Sequence, residues 1–228
     1  MKILALIPAR KHSLRLPKKN VRILNKKSLI EWSIDSVKNI KYICDILVST
    51  DDKKAAHISK KAGVLVPWKR PKILSNKNAS VVDVIIHALD WYENNISKVD
   101  GVLLLQPTSP FRRSKIINKG LNLFKKNNFK KVLGVSKVKY NPFLSFKLKK
   151  KKLLPIFNKK ILKNHSNLKN IYRVNGSFYL ISPKELRRTR SFFINSAIPL
   201  EIVSKKESVD IDDIWDFRAA EKYLNFRF

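Results

Sequence analysis

The chain is poor in cysteine and in acidic side chains, and the shortage of cysteine excludes a class of protein. A single cysteine, Cys44, among 228 residues rules out an internal disulfide framework. Its apolar neighbours Ile43 and Ile46 favour a small buried side chain over a nucleophile. No apolar run approaches the ~20 residues of a membrane-spanning helix, and the six apolar residues before Pro8 are too few for a secretory signal. We therefore expect a cytoplasmic protein that does not associate with a membrane.

The shortage of acid leaves the chain strongly basic. It carries 49 Lys and Arg against 17 Asp and Glu, for a net charge of +32. Such a balance is typical either of a protein with a polyanionic partner or of one with a solvated, lysine-rich surface. The lysines are spread along the whole chain, no zinc-finger or RNA-binding motif accompanies them, and the 4 histidines show no metal-ligand spacing. These observations favour the solvated surface and make nucleic acid the weaker candidate partner.

Short apolar runs alternate with segments of helical periodicity. The 44% hydrophobic content is enough for a sizeable core, and Ser28 with Glu31 forms a capping-box pattern at one helix start. This alternation predicts an α/β fold with a doubly wound, mostly parallel, Rossmann-like sheet in one domain over residues 1–228. The predicted strands are 3–7, 46–49, 64–66 and 102–105, and the predicted helices are 28–37, 53–61, one from residue 80, 114–124 and 213–224, with regular structure also at 171–181.

Three loops leave the ends of predicted strands, at 8–20, 50–52 and 106–113. In open parallel sheets, ligands bind outside the carboxyl ends of the strands. The first loop carries the charge that a triphosphate and a leaving pyrophosphate require, on Arg10, Arg15, Lys18 and Lys19. It lacks the glycines of a Walker loop. We expect an anion-binding site here, although any loop of so basic a chain would carry positive charge.

Asp210 and Asp212 are separated by one residue in the segment 209–212, which we predict to be the end of a strand before the final helix. On a strand they would point to the same face, where two carboxylates are stable together if a hard divalent cation such as Mg²⁺ lies beside them. The alternative is that Asp212 or Asp213 caps the helix. Both roles are compatible, with one aspartate capping and another binding metal.

Three further segments have weaker patterns. The loop at 106–112 presents Gln106, whose amide suits a sugar or an amide group, but an ordinary turn would look the same. Asn175 and Gly176 indicate either a bulge or a hairpin turn. The region 139–170 is basic and lacks the alternation of strand and helix, which indicates an inserted flap or an interface element.

Taken in order, these segments resemble the acylneuraminate cytidylyltransferase family, also called CMP-sialic acid synthetases. The family motifs include I-P-A-R-x-x-S-K-x-x-P-x-K-N, S-T-D, R-P, L-L-Q-P-T-S-P, N-G and D-I-D. The matches keep order and spacing over nearly the whole chain, and they are Ile7 to Arg10, Ser13, Pro17, Lys19 and Asn20, Ser49 to Asp51, Arg70 and Pro71, Leu104 to Pro110, Asn175 and Gly176, and Asp210 to Asp212.

The resemblance implies a fold of the nucleotide-diphospho-sugar transferase type and transfer of CMP from CTP to an acidic nine-carbon sugar. It implies a homodimer formed through the 139–170 insert and a Mg²⁺ or Mn²⁺ ion on Asp210 and Asp212. The implied catalytic residues are Arg10, Lys19 and Asp212. The implied nucleotide-binding residues are Ala9, Arg10, Ser13, Lys19, Asn20, Arg70 and Ser80, and the implied sugar-binding residues are Gln106, His165, Asn175, Tyr179, Phe192 and Phe193.

The chain departs from the family pattern at three positions. Leu14 replaces a lysine of the first loop, Leu144 replaces a lysine of the insert, and His165 replaces the arginine that reads the sugar carboxylate. A neutral imidazole lacks the bidentate fork of a guanidinium. A sialic or legionaminic-type acid is the expected acceptor. Pseudaminic acid, 3-deoxy-manno-octulosonate and an inactive basic binding protein on the same fold are the alternatives.

Overall fold

The computed structural model describes residues 1–157 and 171–225. Its main feature is a six-stranded sheet, supplemented by two small two-stranded sheets. The strands are β1 (Ile3–Ala9), β2 (Ile23–Leu24), β3 (Lys27–Ser28), β4 (Ile43–Thr50), β5 (Gly101–Leu104), β6 (Val132–Lys137), β7 (Phe146–Lys149), β8 (Lys152–Pro155), β9 (Tyr172–Ile181) and β10 (Ile198–Glu201). The helices are α1 (Leu29–Asp35), α2 (Lys53–Lys61), α3 (Val81–Asn95), α4 (Ser114–Lys126), α5 (Pro183–Thr189) and α6 (Ile214–Asn225).

The large sheet has the order β10-β6-β9-β5-β1-β4. β1 pairs in parallel with β4 and β5, and β10 pairs in parallel with β6. β9 alone runs antiparallel to both of its neighbours in this sheet. The prediction of a mostly parallel sheet is therefore confirmed.

Helices cover both faces of the sheet, as a doubly wound fold requires. Along β1, Ile3, Ala5 and Ile7 pack on one face with α1, α2 and α4. Leu4 and Leu6 point to the other face and pack with α3 and α5. All five side chains are fully buried, and each large one contributes roughly 1.5–3 kcal/mol through removal from water. The unbroken apolar run of β1 follows from this two-sided burial.

Side-chain caps fix where the helices begin. Ser28 and Glu31 form the expected capping box at α1, in which the Ser28 N–H donates to the Glu31 carboxylate over 2.7 Å. Asp52 accepts from the N–H of Lys54 over 2.8 Å at the start of α2, and Ser80 accepts from Val82 N–H over 3.2 Å at α3. These caps satisfy N–H groups that lack intrahelical partners.

Three local predictions were wrong. Residues 64–66 form only an isolated bridge from Leu65 to Leu47, because Pro67 has no N–H with which to extend the pairing. Residues 209–212 are not a strand, since their described backbone–backbone hydrogen bonds are only two, from Ile211 N–H to Thr108 O over 2.8 Å and from Val209 N–H to Lys206 O over 3.3 Å. Cys44 is exposed rather than buried, because it lies near the start of β4, before the strand enters the core.

The described part of the 139–170 insert stands apart from the large sheet. β7 and β8 form a hairpin of their own, with Leu148 opposite Leu153. Leu144 lies in a short 3-10 turn before the hairpin and is exposed. Within residues 1–157 and 171–225, no helix combines the length and apolar composition needed to cross a bilayer.

Candidate active site

A cavity of about 470 Å³ opens at the carboxyl ends of β1 and β5. It lies where the first loop and the loop after β5 meet, as expected for this type of sheet. The cavity brings together Arg10, Ser13, Lys19, Asn20 and Arg70 with Gln106, Asp210 and Asp212. Residues of four separate chain segments thus converge on one space large enough for a small polar ligand.

The first loop is held in shape by its own polar contacts. The Asn20 side-chain amide donates to the Arg10 carbonyl oxygen over 2.9 Å and closes the loop. Lys11 N–H donates to Asp51 over 2.7 Å, which fastens the loop to the end of β4. Arg10 is thereby directed at the cavity, where its guanidinium donates to the Asn76 carbonyl oxygen over 3.4 Å.

Lys19 connects this loop to the acidic segment before α6. Its Nζ lies 2.9 Å from the Ile211 carbonyl oxygen and 3.1 Å from Asp212 Oδ1. Arg15 Nη2 lies 2.7 Å from the other oxygen of the same carboxylate. Burial tends to raise the pKa of Asp212, but the hydrogen bonds and charges of Lys19 and Arg15 outweigh it and hold that pKa below its ordinary value.

Arg70 is a second fixed cation of the cavity. It is buried, and its Nε donates to Ser49 Oγ over 3.0 Å while its Nη2 donates to the Ser49 carbonyl oxygen. Burial lowers the pKa of Arg70 to about 10, with Asp51 opposing this effect and Arg10 adding to it. Two guanidinium groups that line one cavity and repel each other favour an anionic ligand between them.

A larger cavity of about 1110 Å³ lies on the other side of the acidic segment. Four cationic side chains line it, from Lys137, Lys139, Arg173 and Lys205. Among the described residues, Asp210 and Asp212 are the two that line both cavities. Motif reasoning missed this second cavity, because its cations come from distant strands and turns and share no local pattern.

The carboxylates suit a divalent ion that is completed by substrate oxygens. Across the described ranges, no group of three or more His, Cys, Asp or Glu side chains could hold a metal ion. Mg²⁺ usually takes one or two carboxylates together with phosphate oxygens and water. Asp210 and Asp212 match that requirement in chemistry and in placement between two cavities.

Of the two aspartates predicted to cap the last helix, the side chain of Asp213 does so and that of Asp212 does not. Asp213 Oδ1 accepts from Trp215 N–H over 2.9 Å and from Asp216 N–H over 3.0 Å. Asp216 Oδ2 in turn accepts from the backbone N–H of Asp212 over 2.9 Å and from that of Asp213 over 3.1 Å. The side chain of Asp212 is therefore left to face the cavities while its backbone is fixed.

The Asn175–Gly176 pair forms a bulge in β9 rather than a hairpin turn. Pairing passes from Leu133–Tyr179 to Val135–Val174, so that residues 175–178 lie opposite the single residue 134. Gly176 adopts φ +81°, and a Cβ there would meet Asp210 Oδ2 and Ser109 Oγ at 3.4 Å. The bulge brings the β9 backbone against the acidic segment and the loop after β5.

Arg112 fixes the bulge to that loop, a role that motif reasoning did not assign. Its buried guanidinium donates to the carbonyl oxygens of Ser177, Ser109 and Gln106 over 2.5, 2.6 and 2.7 Å. Burial lowers its pKa to about 9, against the opposing charge of Asp210. The signal available in the sequence was an arginine within a proline-rich loop, which does not reveal its partners.

The sugar-side predictions fall in several places. Gln106 lines the smaller cavity beside the predicted nucleotide residues. Asn175 is buried and donates to Ser136 Oγ over 2.8 Å. Tyr179 is half-buried, and its pKa is raised by burial and by Asp210, with Arg112 opposing. Phe192 is buried and packs against Tyr179 at 5.3 Å.

Six described residues of the prediction do not line either cavity, namely Ala9, Ser80, Asn175, Tyr179, Phe192 and Phe193. Phe193 is 68% exposed, Ala9 is buried and its carbonyl oxygen accepts from the Thr50 hydroxyl, and Ser80 caps α3. His165 lies outside the described residues. The ligand roles of all these residues remain predictions.

Several known proteins are similar to this chain over most of its length. The cytidylyltransferase family model matches residues 4–182. The chain is 35% identical to CMP-N,N'-diacetyllegionaminic acid synthase of Legionella pneumophila, over 98% of this chain and 97% of that one. It is 28% identical to pseudaminic acid cytidylyltransferase of Campylobacter jejuni, over 97% and 95% of the two chains.

Among solved structures, a CMP:2-keto-3-deoxy-manno-octonic acid synthetase complexed with CTP superposes with a TM-score of 0.71 at 15% identity, covering 99% of both chains. At that identity the likeness concerns the fold, which confirms the predicted sheet type. The matched family model spans most of the chain, from β1 to the end of β9. The chain therefore belongs to the cytidylyltransferase family.

Proposed function

We propose that the chain transfers CMP from CTP to the anomeric hydroxyl of a nonulosonic acid and releases pyrophosphate. The observation that carries this proposal is the pair of cavities meeting at Asp210 and Asp212. A transferase with two substrates needs two adjoining binding sites. It also needs charged groups already in place where the two substrates react. CTP would occupy the smaller cavity and the sugar acid the larger one. We also propose that the reaction takes place in the cytoplasm, where CTP is available.

The smaller cavity supplies cations along the expected path of a triphosphate. Arg10 and Lys19 come from the first loop, and Arg70 faces them from the segment before α3. Charge grows on the departing pyrophosphate in the transition state, so preorganised cations stabilise that state more than the ground state. Lys19 holds its position through the Ile211 carbonyl and Asp212.

From the larger cavity, the anomeric hydroxyl of the sugar acid would attack the α-phosphorus of CTP. A bond forms between the anomeric oxygen and that phosphorus, the bond to the β-phosphate oxygen breaks, and the hydroxyl proton passes to solvent or a carboxylate. Arg173 lines the larger cavity, and its guanidinium suits the sugar carboxylate. This side chain could supply the function that a family arginine has at the position of His165.

Asp210 and Asp212 would hold Mg²⁺ or Mn²⁺. Such an ion, when bound, neutralises charge on phosphate oxygens and orients them for in-line displacement. The chain's own contribution is to hold the two carboxylates at the boundary. Asp216 does so by fixing the Asp212 backbone.

A homodimer formed through the insert is part of this proposal. In the β7–β8 hairpin, Leu148 pairs with Leu153 and Phe146 with Pro155, so these four side chains share one face. Leu148, Leu153 and Phe146 are exposed. Burying them against a second copy would remove apolar surface from water.

The relatives also indicate which sugar acid is the acceptor. The 35% identity to an N,N'-diacetyllegionaminic acid synthase against 28% to a pseudaminic acid cytidylyltransferase supports a legionaminic-type acceptor. The test is pyrophosphate release measured with CTP and Mg²⁺ across N,N'-diacetyllegionaminic, N-acetylneuraminic, pseudaminic and 3-deoxy-manno-octulosonic acids, and with ATP, GTP and UTP in place of CTP.

We expect release that requires both CTP and a nine-carbon acid, and that is fastest with the legionaminic acid. If only 3-deoxy-manno-octulosonic acid gave release, the acceptor would be an eight-carbon acid, and the proposed transfer of CMP from CTP would stand. Absence of release with every acid, combined with salt-sensitive binding of DNA or RNA, would overturn the proposal in favour of a basic binding protein.

A further inference from the structure

Arg15 forms a short ion pair with Asp212 although its own side chain is largely exposed. Its side chain is 66% exposed, yet its Nη2 lies 2.7 Å from Asp212 Oδ2. The other oxygen of the same carboxylate, Oδ1, is taken by Lys19 at 3.1 Å. Both oxygens of a boundary carboxylate are thus engaged by cations of the first loop.

The two cations are not equivalent. Lys19 is 12% exposed and has a second anchor in the Ile211 carbonyl oxygen at 2.9 Å. Among the described residues, Arg15 forms an ion pair with Asp212 alone. An exposed ion pair contributes little free energy and is readily exchanged. Arg15 is therefore the partner that leaves when a stronger cation arrives.

A divalent cation needs the oxygen atoms that Arg15 occupies. With Asp210, Asp212 forms the carboxylate pair at the boundary of the two cavities. A guanidinium and a divalent cation on one carboxylate repel each other at close range. Because its partner Asp212 lines the same cavity as Arg10 and Lys19, the released guanidinium would be close to the phosphates of a nucleotide bound there.

We propose that Arg15 is a two-position residue, which neutralises Asp212 in the ligand-free protein and binds the triphosphate of CTP once a divalent cation has taken that carboxylate. This inference rests on the proposed function, because it needs both CTP and the metal. The planar, five-donor guanidinium suits both positions, since it pairs in bidentate fashion with carboxylate and with phosphate.

The proposal predicts effects of opposite sign from one substitution. In Arg15→Gln, Mn²⁺ alone should bind about threefold more tightly, because a competing surface cation has gone. CTP in saturating Mg²⁺ should bind about tenfold more weakly, because a charge-assisted hydrogen bond to phosphate is lost. Calorimetry with the full chain measures both, and no sugar or turnover is needed.

Two further variants sharpen the experiment. Lys11→Gln removes the same charge from the same loop. Unlike Arg15, the Lys11 side chain forms no ion pair with Asp212 within the described residues, so both affinities should stay within twofold of the original chain. Arg15→Lys keeps the charge but not the fork, so Mn²⁺ affinity should stay unchanged while CTP affinity falls to an intermediate value.

The outcomes separate this inference from the proposed function. Failure of the unsubstituted chain to bind CTP would overturn the proposed function. If that chain binds CTP while Arg15→Gln changes both affinities in the same direction, or neither, the two-position role of Arg15 is wrong and the proposed function stands.

Discussion

The Nζ atom of Lys19 lies 3.1 Å from Oδ1 of Asp212, a residue 193 positions later in the chain. This contact joins the loop at residues 8–20 to the acidic segment before the last helix. It sets the position of one boundary carboxylate and one cavity cation at the same time. The predictions below concern this pair and the residues that support it.

Replacement of Lys19 by Gln should reduce turnover far more than it affects folding. The substitution removes a preorganised cation that would face the developing negative charge, and such losses cost on the order of 100-fold in kcat. Pyrophosphate release under saturating substrates measures the effect, with circular dichroism as the check on the fold. Turnover within threefold of the original chain would remove Lys19 from the catalytic residues.

The stability effect of Asp212→Asn should depend on pH. Because the folded pKa of Asp212 lies below its ordinary value of 3.8, the charged carboxylate stabilises the fold above that value, and this contribution is lost as pH falls through the lowered folded pKa. The side chain is 38% exposed, so solvent screening limits the effect at pH 7 to about 0.5 kcal/mol.

Urea unfolding of both chains at pH 7 and near pH 3 tests this sign. The difference in unfolding free energy between the two chains should shrink at the lower pH. A difference that grows on acidification would mean that Asp212 does not have a lowered pKa in the folded state.

Gly176→Ala should impair activity in a way that Gly63→Ala does not. Both glycines adopt similar left-handed backbones, with φ +81° and +77°, so each substitution should cost roughly 1 kcal/mol of stability. A Cβ at Gly176 would be in ordinary van der Waals contact with Asp210 Oδ2, at 3.4 Å, so a backbone shift that relieves the strain would act on Asp210, whereas a Cβ at Gly63 meets nothing within 4 Å. Thermal unfolding and the Mg²⁺ dependence of turnover, compared between the two variants, separate backbone strain from disturbance of Asp210.

Arg112→Leu should be strongly destabilising. The buried guanidinium serves three backbone carbonyls, those of Ser177, Ser109 and Gln106, and each buried acceptor left without a donor costs about 1–3 kcal/mol. A loss of about 3 kcal/mol is expected on denaturant unfolding. Arg112→Lys, which retains charge but not the fork, should lose less stability and show a raised KM for CTP. Equal stability of Arg112→Leu and the original chain would contradict this account.

Much of the scaffold could be predicted because its signals are local. The apolar run of β1 reflects burial on both faces, which a sequence records directly. The capping box of Ser28 and Glu31 lies within four residues and fixed the start of α1. The first loop and the Asp210–Asp212 pair were assigned to one site, and both line the smaller cavity.

What could not be predicted depends on contacts between distant segments. Apolar Val209 and Ile211 around Asp210 gave a strand-like alternation, but Ile211 is buried in a small cluster with Leu16 and Phe111 instead of in a sheet. The cations of the larger cavity come from β6, β9 and the turn after β10, and only the strand order brings them together. The partners of Arg112 likewise follow from the bulge in β9, whose size no local pattern specifies.

The boundary formed by Asp210 and Asp212 has a consequence for how such a protein can diversify. In the described part of the chain, those two residues are the shared lining of the two cavities. If CTP occupies the smaller cavity as proposed, other residues that line the larger cavity can be substituted without altering a residue that lines the CTP site. The preference for one sugar acid over another can then change, by evolution or by engineering, while CTP remains the donor. This requires that both aspartates and the bulge at Gly176 are kept.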